Sequence, residues 1–177
     1  MQTYKGKTLL ICGFPGIGKS FFNKEHGSFV SDSDSSTFAK DGFPKNYIDY
    51  IESLLIIFPR NNIFLISTHS EVRDELRNRN LVYIIVYPKK EDKQLYLKRY
   101  QNRGSSETFV ELLSNNWDSF VESCENDPTP HHYRLSGDQY LGSVFEQILA
   151  KSPSTPTHLS HLAQTSRKNL GLSWTFR

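Results

Sequence analysis

Along the first 150 positions the apolar residues come in short runs, each closed by glycine, proline or small polar residues. Lys7-Thr8-Leu9-Leu10-Ile11-Cys12 is such a run, and Ser28-Phe29-Val30-Ser31, Ile63-Phe64-Leu65-Ile66, Leu81 to Tyr87 and Tyr133-Arg134-Leu135 are others. Their length and their β-branched and aromatic content predict five buried strands. Between them the period changes to that of a helix. Asn46 to Phe58 places Tyr47, Ile48, Ile51, Leu54, Leu55 and Phe58 on one face, and Pro59 ends it. Glu71 to Asn78 and Glu91 to Arg103 predict charged amphipathic helices. Gly104 breaks the second, Ser105-Ser106-Glu107 caps a further helix through Ser123, and Leu141 to Ala150 closes the series. A short helix follows Ser20 and stops at Gly27.

Strands that alternate with helices and are apolar on both faces predict a parallel sheet covered on both sides. The expected fold class is therefore α/β: a three-layer α/β/α core with a five-stranded, mostly parallel sheet. Ligands in such sheets lie at the carboxyl ends of the strands. Four of those ends carry polar residues suited to a site: Gly13–Ser20, Asp32 and Asp34, Ser67–Ser70, and Ser136-Gly137-Asp138. Residues 151–177 are Ser/Thr-rich, contain Pro153 and Pro156 and have no clear period, which predicts a poorly ordered tail beyond a single domain of residues 1–150.

One strand end has specific chemistry. Gly13-Phe14-Pro15-Gly16-Ile17-Gly18-Lys19-Ser20 fits G-x-x-x-x-G-K-[ST], the phosphate-binding P-loop or Walker A pattern. Its glycines let backbone N–H groups turn onto phosphate oxygens, Lys19 reaches the β- and γ-phosphates, and the Ser20 hydroxyl can ligate Mg²⁺. A strand precedes it and a helix starting near Phe21 follows, which is the setting the motif needs.

Composition narrows the partners. Lys and Arg number 21 against 19 Asp and Glu, for a net charge of +2. Lys151, Arg167, Lys168 and Arg177 fall in the tail, which has no acid, so residues 1–150 hold 17 basic and 19 acidic side chains. The body is thus not a bulk nucleic-acid binder, whereas the tail has weak basic character. No apolar run approaches the ~18 residues of a membrane span. The start Met-Gln-Thr-Tyr-Lys shows no signal peptide, and Cys12 and Cys124 lack metal-ligand spacing. The expectation is a cytoplasmic protein with reduced thiols and no membrane partner, in a host cytoplasm if the chain is viral.

Over residues 5–150 the chain resembles the P-loop kinase superfamily, and most of all its nucleoside, nucleotide and polynucleotide kinases of small phage or viral type. The P-loop, Asp32-Ser33-Asp34 after the second strand, and Leu97 to Gly104 after the fourth carry the resemblance. It implies ATP or another NTP as donor, Mg²⁺, a small helical lid at about 99–125, and transfer of the γ-phosphoryl group to a nucleoside, nucleotide or nucleic-acid acceptor. That acceptor includes a 5′-hydroxyl DNA end or a hydroxymethylated base. Gly13, Pro15, Gly16, Ile17, Gly18, Lys19, Ser20 and Phe21 would hold the donor. Lys19, Arg99 and Arg103 would neutralise the transferred group, the two arginines sharing one helix face. Asp34 or Asp32 would be the general base, and Ser20 with Asp32 the metal side. Ser136 to Tyr140 would meet the donor base. Arg73 is a candidate for an acceptor phosphate or for a surface pair with Glu71 or Asp74, and His69 for a substrate hydrogen bond or a helix cap. Phe38, Phe43 and Tyr47 fit either an acceptor base or the core. The third strand ends in Ser67-Thr68-His69 where the family commonly has an aspartate. That departure keeps open a different class, an NTP-binding regulatory module that hydrolyses slowly.

Overall fold

The computed structural model describes residues 8–152. The expectations for the tail therefore lie outside the described residues, apart from Lys151 and Ser152. Five strands form one sheet in the order β2-β3-β1-β4-β5, with every pairing parallel. They are β1 (Leu9–Gly13), β2 (Val30–Asp32), β3 (Ile63–Ile66), β4 (Ile84–Pro88) and β5 (His132–Leu135). The six helices among the described residues are α1 (Lys19–His26), α2 (Lys45–Ile57), α3 (Ser70–Asn78), α4 (Lys93–Asn102), α5 (Glu107–Glu125) and α6 (Leu141–Lys151).

Every residue of β1, β3 and β4 is buried, while the edge strands β2 and β5 are only partly so. This is why the central runs are uninterrupted by polar residues. The step from β1 to β2 runs one way across the sheet and the steps from β2 through β5 run the other. Right-handed crossovers then put α1 on one face and α2, α3 and α5 on the opposite face. The contacts agree. Phe22 of α1 meets Phe145 of α6 at 4.7 Å, Arg79 of α3 pairs with Asp49 and Glu52 of α2, and Arg73 of α3 reaches Ser123 of α5. The arrangement is compatible with three layers.

Several boundaries differ from the sequence expectation. The fourth strand begins at Ile84 rather than Leu81, because α3 unwinds through Asn80 at φ 55° and Leu81 N–H bonds back to Leu76 O at 2.9 Å. Pro88 is the last residue of β4 rather than the stop after it, and is in register with Leu135. Glu91 belongs to a 3-10 turn, and the helix proper starts at Lys93. Within the expected lid, α5 buries Leu113, Trp117, Val121 and Cys124, and Trp117 Nε1–H donates to Lys90 O at 2.8 Å. Most of α5 is therefore a layer helix, leaving an exposed corner from Asn102 to Ser106, with half-buried Ser105, between α4 and α5. No helix among the described residues is long and apolar enough to cross a membrane.

Candidate functional site

The parallel sheet gathers all its carboxyl ends on one side, and β1 lies at its centre. The loops leaving neighbouring β1 and β4 lead to opposite sides of the sheet, which opens a crevice above them. The Gly13–Ser20 loop occupies this position. It is anchored at four points: Phe14 N–H to Val86 O (2.9 Å), Leu141 N–H to Ile17 O (2.8 Å), Tyr100 O–H to Pro15 O (2.9 Å) and Phe22 N–H to Gly18 O (2.9 Å). Gly16 and Gly18 have φ of 83° and 92°, values that side chains resist, and a Cβ on Gly16 would lie 2.6 Å from the Tyr100 ring. Ile17 is fully buried, and its N–H closes a turn onto Phe14 O at 3.4 Å. The amides of Gly16, Gly18, Lys19, Ser20 and Phe21 have no hydrogen-bond acceptor among the described residues. Five unpaired donors at a loop and helix N-terminus suit an anion.

Lys19 is folded onto this loop, its ammonium donating to Gly13 O and, at 3.3 Å, to Phe14 O. Burial pushes it down to about 8. Arg103 adds to that shift, while Asp32 opposes it. Loop carbonyls thus hold the ammonium where an arriving anion could replace them. Ser20 Oγ donates to Asp32 Oδ2 at 2.8 Å, joining the start of α1 to the end of β2. A hydroxyl and one carboxylate are the protein share of ligands that Mg²⁺ takes when phosphates and waters supply the rest, so these residues fit that ion. Among the described residues no group of three or more His, Cys, Asp or Glu is placed to hold a metal without such help. Asp34, two residues on, caps a 3-10 turn, with Oδ1 accepting from Ser36 N–H at 2.9 Å. The two aspartates are therefore not equivalent. Phe21, the last residue of the motif region, is exposed.

The two arginines of the expected lid are also separated. The Arg99 guanidinium lies between the Tyr96 and Tyr140 rings, 4.5 and 4.0 Å from their centroids, and donates to Gly137 O and Gln139 O at 3.5 and 3.3 Å. Its Nε and Nη1 and the Tyr96 hydroxyl are buried and make no geometric hydrogen bond among the described residues, although the Arg99 charge acts on Tyr96. Arg103 ends α4, stacks 5.0 Å from Tyr100, donates from Nε to Ser105 Oγ at 2.7 Å, and is near enough to Lys19 to lower its pKa. Of the pair, Arg103 is the one whose charge acts on Lys19. Tyr140 also packs on Gly18, where a Cβ would meet its Cδ1 at 3.1 Å.

On the other side of the loop, Tyr47 O–H donates to Ser33 O at 3.0 Å and accepts from Ser67 N–H at 3.2 Å, joining the ends of β2 and β3. Half-buried Phe43 lies 6.1 Å from Tyr47 and 5.8 Å, edge to face, from His69. His69 is the N-cap residue of α3 but makes no side-chain cap. Arg73 neither reaches this surface nor pairs with Glu71 or Asp74. It is 3% exposed and bonds Asp127 Oδ2 at 2.6 Å, with further bonds to Thr68 O and Ser123. Asp127 also takes Tyr83 O–H at 2.7 Å and Arg77 Nη1–H at 2.9 Å, and hydrogen bonds from Tyr83, Thr129 N–H and Arg73 hold its carboxyl below the usual range despite burial. Burial pushes the nearby Cys124 thiol up to about 12 and raises Cys12 further, so both are inert at neutral pH.

Sequence reasoning did not find Tyr96, Tyr100 or the Arg73–Asp127 pair. Tyr96 and Tyr100 are four apart on one helix, a visible spacing, but nothing local says that their rings brace the glycine loop. Neither a family model nor a curated protein matches the chain. Among solved structures, an uncharacterized protein from Eubacterium ventriosum ATCC 27560 aligns with 81% of this chain and 96% of its own, at 12% identity and TM-score 0.43. The SH3-kinase fragment of tight junction protein 3, in apo form, aligns over 95% of this chain at 9% identity and TM-score 0.47, and the match spans 59% of that protein's chain. Neither likeness assigns the chain to a family.

Proposed function

We propose that the protein is a P-loop phosphotransferase that moves the γ-phosphoryl group of ATP or another NTP to a nucleoside, nucleotide or nucleic-acid acceptor. The observation that carries this is the set at the end of β1: five open amides, a lysine held on loop carbonyls, and the Ser20–Asp32 hydrogen bond. Phosphoryl transfer asks little covalent chemistry of a protein. It needs the phosphates positioned, their charge neutralised and an acceptor aligned.

The open amides of Gly16, Gly18, Lys19 and Ser20 take the β-phosphate, and the Lys19 ammonium leaves Gly13 O and Phe14 O for the β- and γ-oxygens. Ser20 and Asp32 are the residues to hold Mg²⁺, which when bound neutralises charge on the phosphate oxygens. Asp32 in β2 thereby supplies the carboxylate that Ser67 at the end of β3 does not. Asp34 keeps one carboxylate oxygen outside its cap and is the general base for the acceptor. Arg103 closes over the γ-phosphate, where developing charge makes a cation most effective. Arg99 holds the Gly137–Tyr140 loop beside Gly18, on the donor-base side.

The test is transfer of labelled γ-phosphate from ATP with Mg²⁺ across nucleosides, their monophosphates, and 5′-hydroxyl and hydroxymethylated DNA. Wild type should label at least one of these, and Lys19→Ala should lose at least ~100-fold in rate. No labelling of any acceptor, or equal labelling by the variant, overturns the proposal.

A further inference from the structure

Resting on the phosphotransferase reading above, the geometry points to an acceptor that presents a hydroxyl group on a pentose carrying a flat base, free or at the end of a nucleic-acid strand, rather than an acceptor phosphate. Three observations converge on it.

The first is the state of the cations. α3 starts directly after the Ser67-Thr68-His69 end of β3, with Arg73 in its first turn, Arg77 near its far end and Arg79 just past it. All three are engaged. Arg73 spends its five N–H groups on five acceptors: Asp127 Oδ2, Thr68 O, Cys124 Sγ at 3.8 Å, and Ser123 O and Oγ at 2.8 and 2.6 Å. Arg77 holds Asp74, Asp127 and Tyr83, and Arg79 holds Glu75, Asp49 and Glu52. A forked clamp on a phosphate would require breaking one of these sets. Between β2 and α3, Lys40 and Lys45 are exposed point charges on flexible stems and Arg60 is exposed just before β3, in a segment that also carries Asp34, Asp41, Asp49 and Glu52.

The second is the opposite charge. Asp32 and Asp34 stand at the end of β2, and Ser33 between them is tied through Tyr47 to the end of β3. Two carboxylates repel an acceptor dianion, whereas a neutral hydroxyl can donate a hydrogen bond to either.

The third is an aromatic cluster tied to the same strand ends. Tyr47 pins Phe43 and Phe38 to these strand ends, at 6.1 and 5.0 Å between ring centroids. Phe43 and Phe38 are half-buried, so each ring keeps part of its surface exposed, and bases stack well on exposed aromatic rings.

The chemistry balances with no further reagent. The acceptor oxygen bonds to the γ-phosphorus as the bond from that phosphorus to the β,γ-bridging oxygen breaks. The nucleoside diphosphate leaves with the bridging oxygen, and the hydroxyl proton passes to the carboxylates at the end of β2 and on to water.

The full chain should be given ATP labelled at the γ-position, Mg²⁺ and four kinds of acceptor: nucleosides, nucleoside 5′-monophosphates, an oligonucleotide with a 5′-hydroxyl, and the same oligonucleotide with a 5′-phosphate. The expected result is label on a hydroxyl arm at least about a hundredfold faster than on its phosphate counterpart, with nucleoside and oligonucleotide telling the source apart. Phe43→Leu, which keeps the apolar packing, should raise the acceptor KM about tenfold and leave the ATP KM unchanged. Transfer to a monophosphate's phosphate group overturns the inference. ATP binding by calorimetry with no hydroxyl labelled also overturns it, while sparing the nucleotide site; absence of ATP binding removes the reading on which it rests.

Discussion

The arginines of α3 and those of α4 are the same residue type near the same edge of the sheet, and they are in opposite states. Arg73 lies at 3% exposure with all its donors taken, anchored on Asp127, which is itself 7% exposed. Arg99 and Arg103 have no carboxylate partner among the described residues and rest on tyrosine and phenylalanine rings. A saturated guanidinium fixes two elements to each other. One held by ring faces keeps donors for a ligand. Under the proposed function, stability belongs to the α3 side and chemistry to the α4 side.

The sharpest way to break this comparison is Asp127→Ala, which strands the buried Arg73 charge. We expect a loss of about 3–5 kcal/mol in a urea unfolding titration, with nucleotide affinity unchanged while the chain stays folded. A nucleotide-site defect without destabilisation would reverse the assignment. Next comes Arg103→Ala. Turnover should fall by about 10²–10³ with a modest change in ATP affinity, as for the loss of one cation that acts on developing charge. Arg99→Ala should instead cost roughly 1 kcal/mol of stability through its lost ring contacts, with a smaller effect on turnover. Equal turnover losses would show that the two are not divided as described.

The pH profile is a finer probe. Burial holds Lys19 at about 8 in the free protein, and a bound polyphosphate favours its ammonium form. ATP affinity should be full below pH 8 and fall by up to about tenfold per unit as pH rises above it. In Lys19→Ala that slope should vanish, which calorimetry across pH 7–10 can read. The smallest effect expected is that of Tyr100→Phe, which removes only the bond to Pro15 O. It should lower stability by ~1 kcal/mol and slightly weaken ATP binding, because the glycine loop loses one of its four anchors.

Most of the strand and helix order was legible because the central strands are buried on both faces and so carry unbroken apolar runs. The Gly13–Ser20 loop between β1 and α1 was legible because its glycines and the flanking strand and helix signals are written in consecutive residues. What the sequence hid is set by distance along the chain. Arg73 finds Asp127 fifty-four positions away, so its local neighbours Glu71 and Asp74 were misleading partners. Arg99 and Arg103 share a helix face by spacing, yet the return of the chain at Tyr140 captures only the first. Asp32 and Asp34 read alike in a Ser/Asp turn. The paired register of β2 with β3 brings Asp32 beside Leu65, at Ser20, and leaves Asp34 to cap the next turn.

The most direct test of the central claim is titration calorimetry of ATP with Mg²⁺ into wild type and into Lys19→Ala, with the fold of both verified by circular dichroism. Wild type should show saturable one-site binding, and the variant a loss of at least ~tenfold in affinity. No heat with wild type, or the same affinity in both proteins, would contradict it.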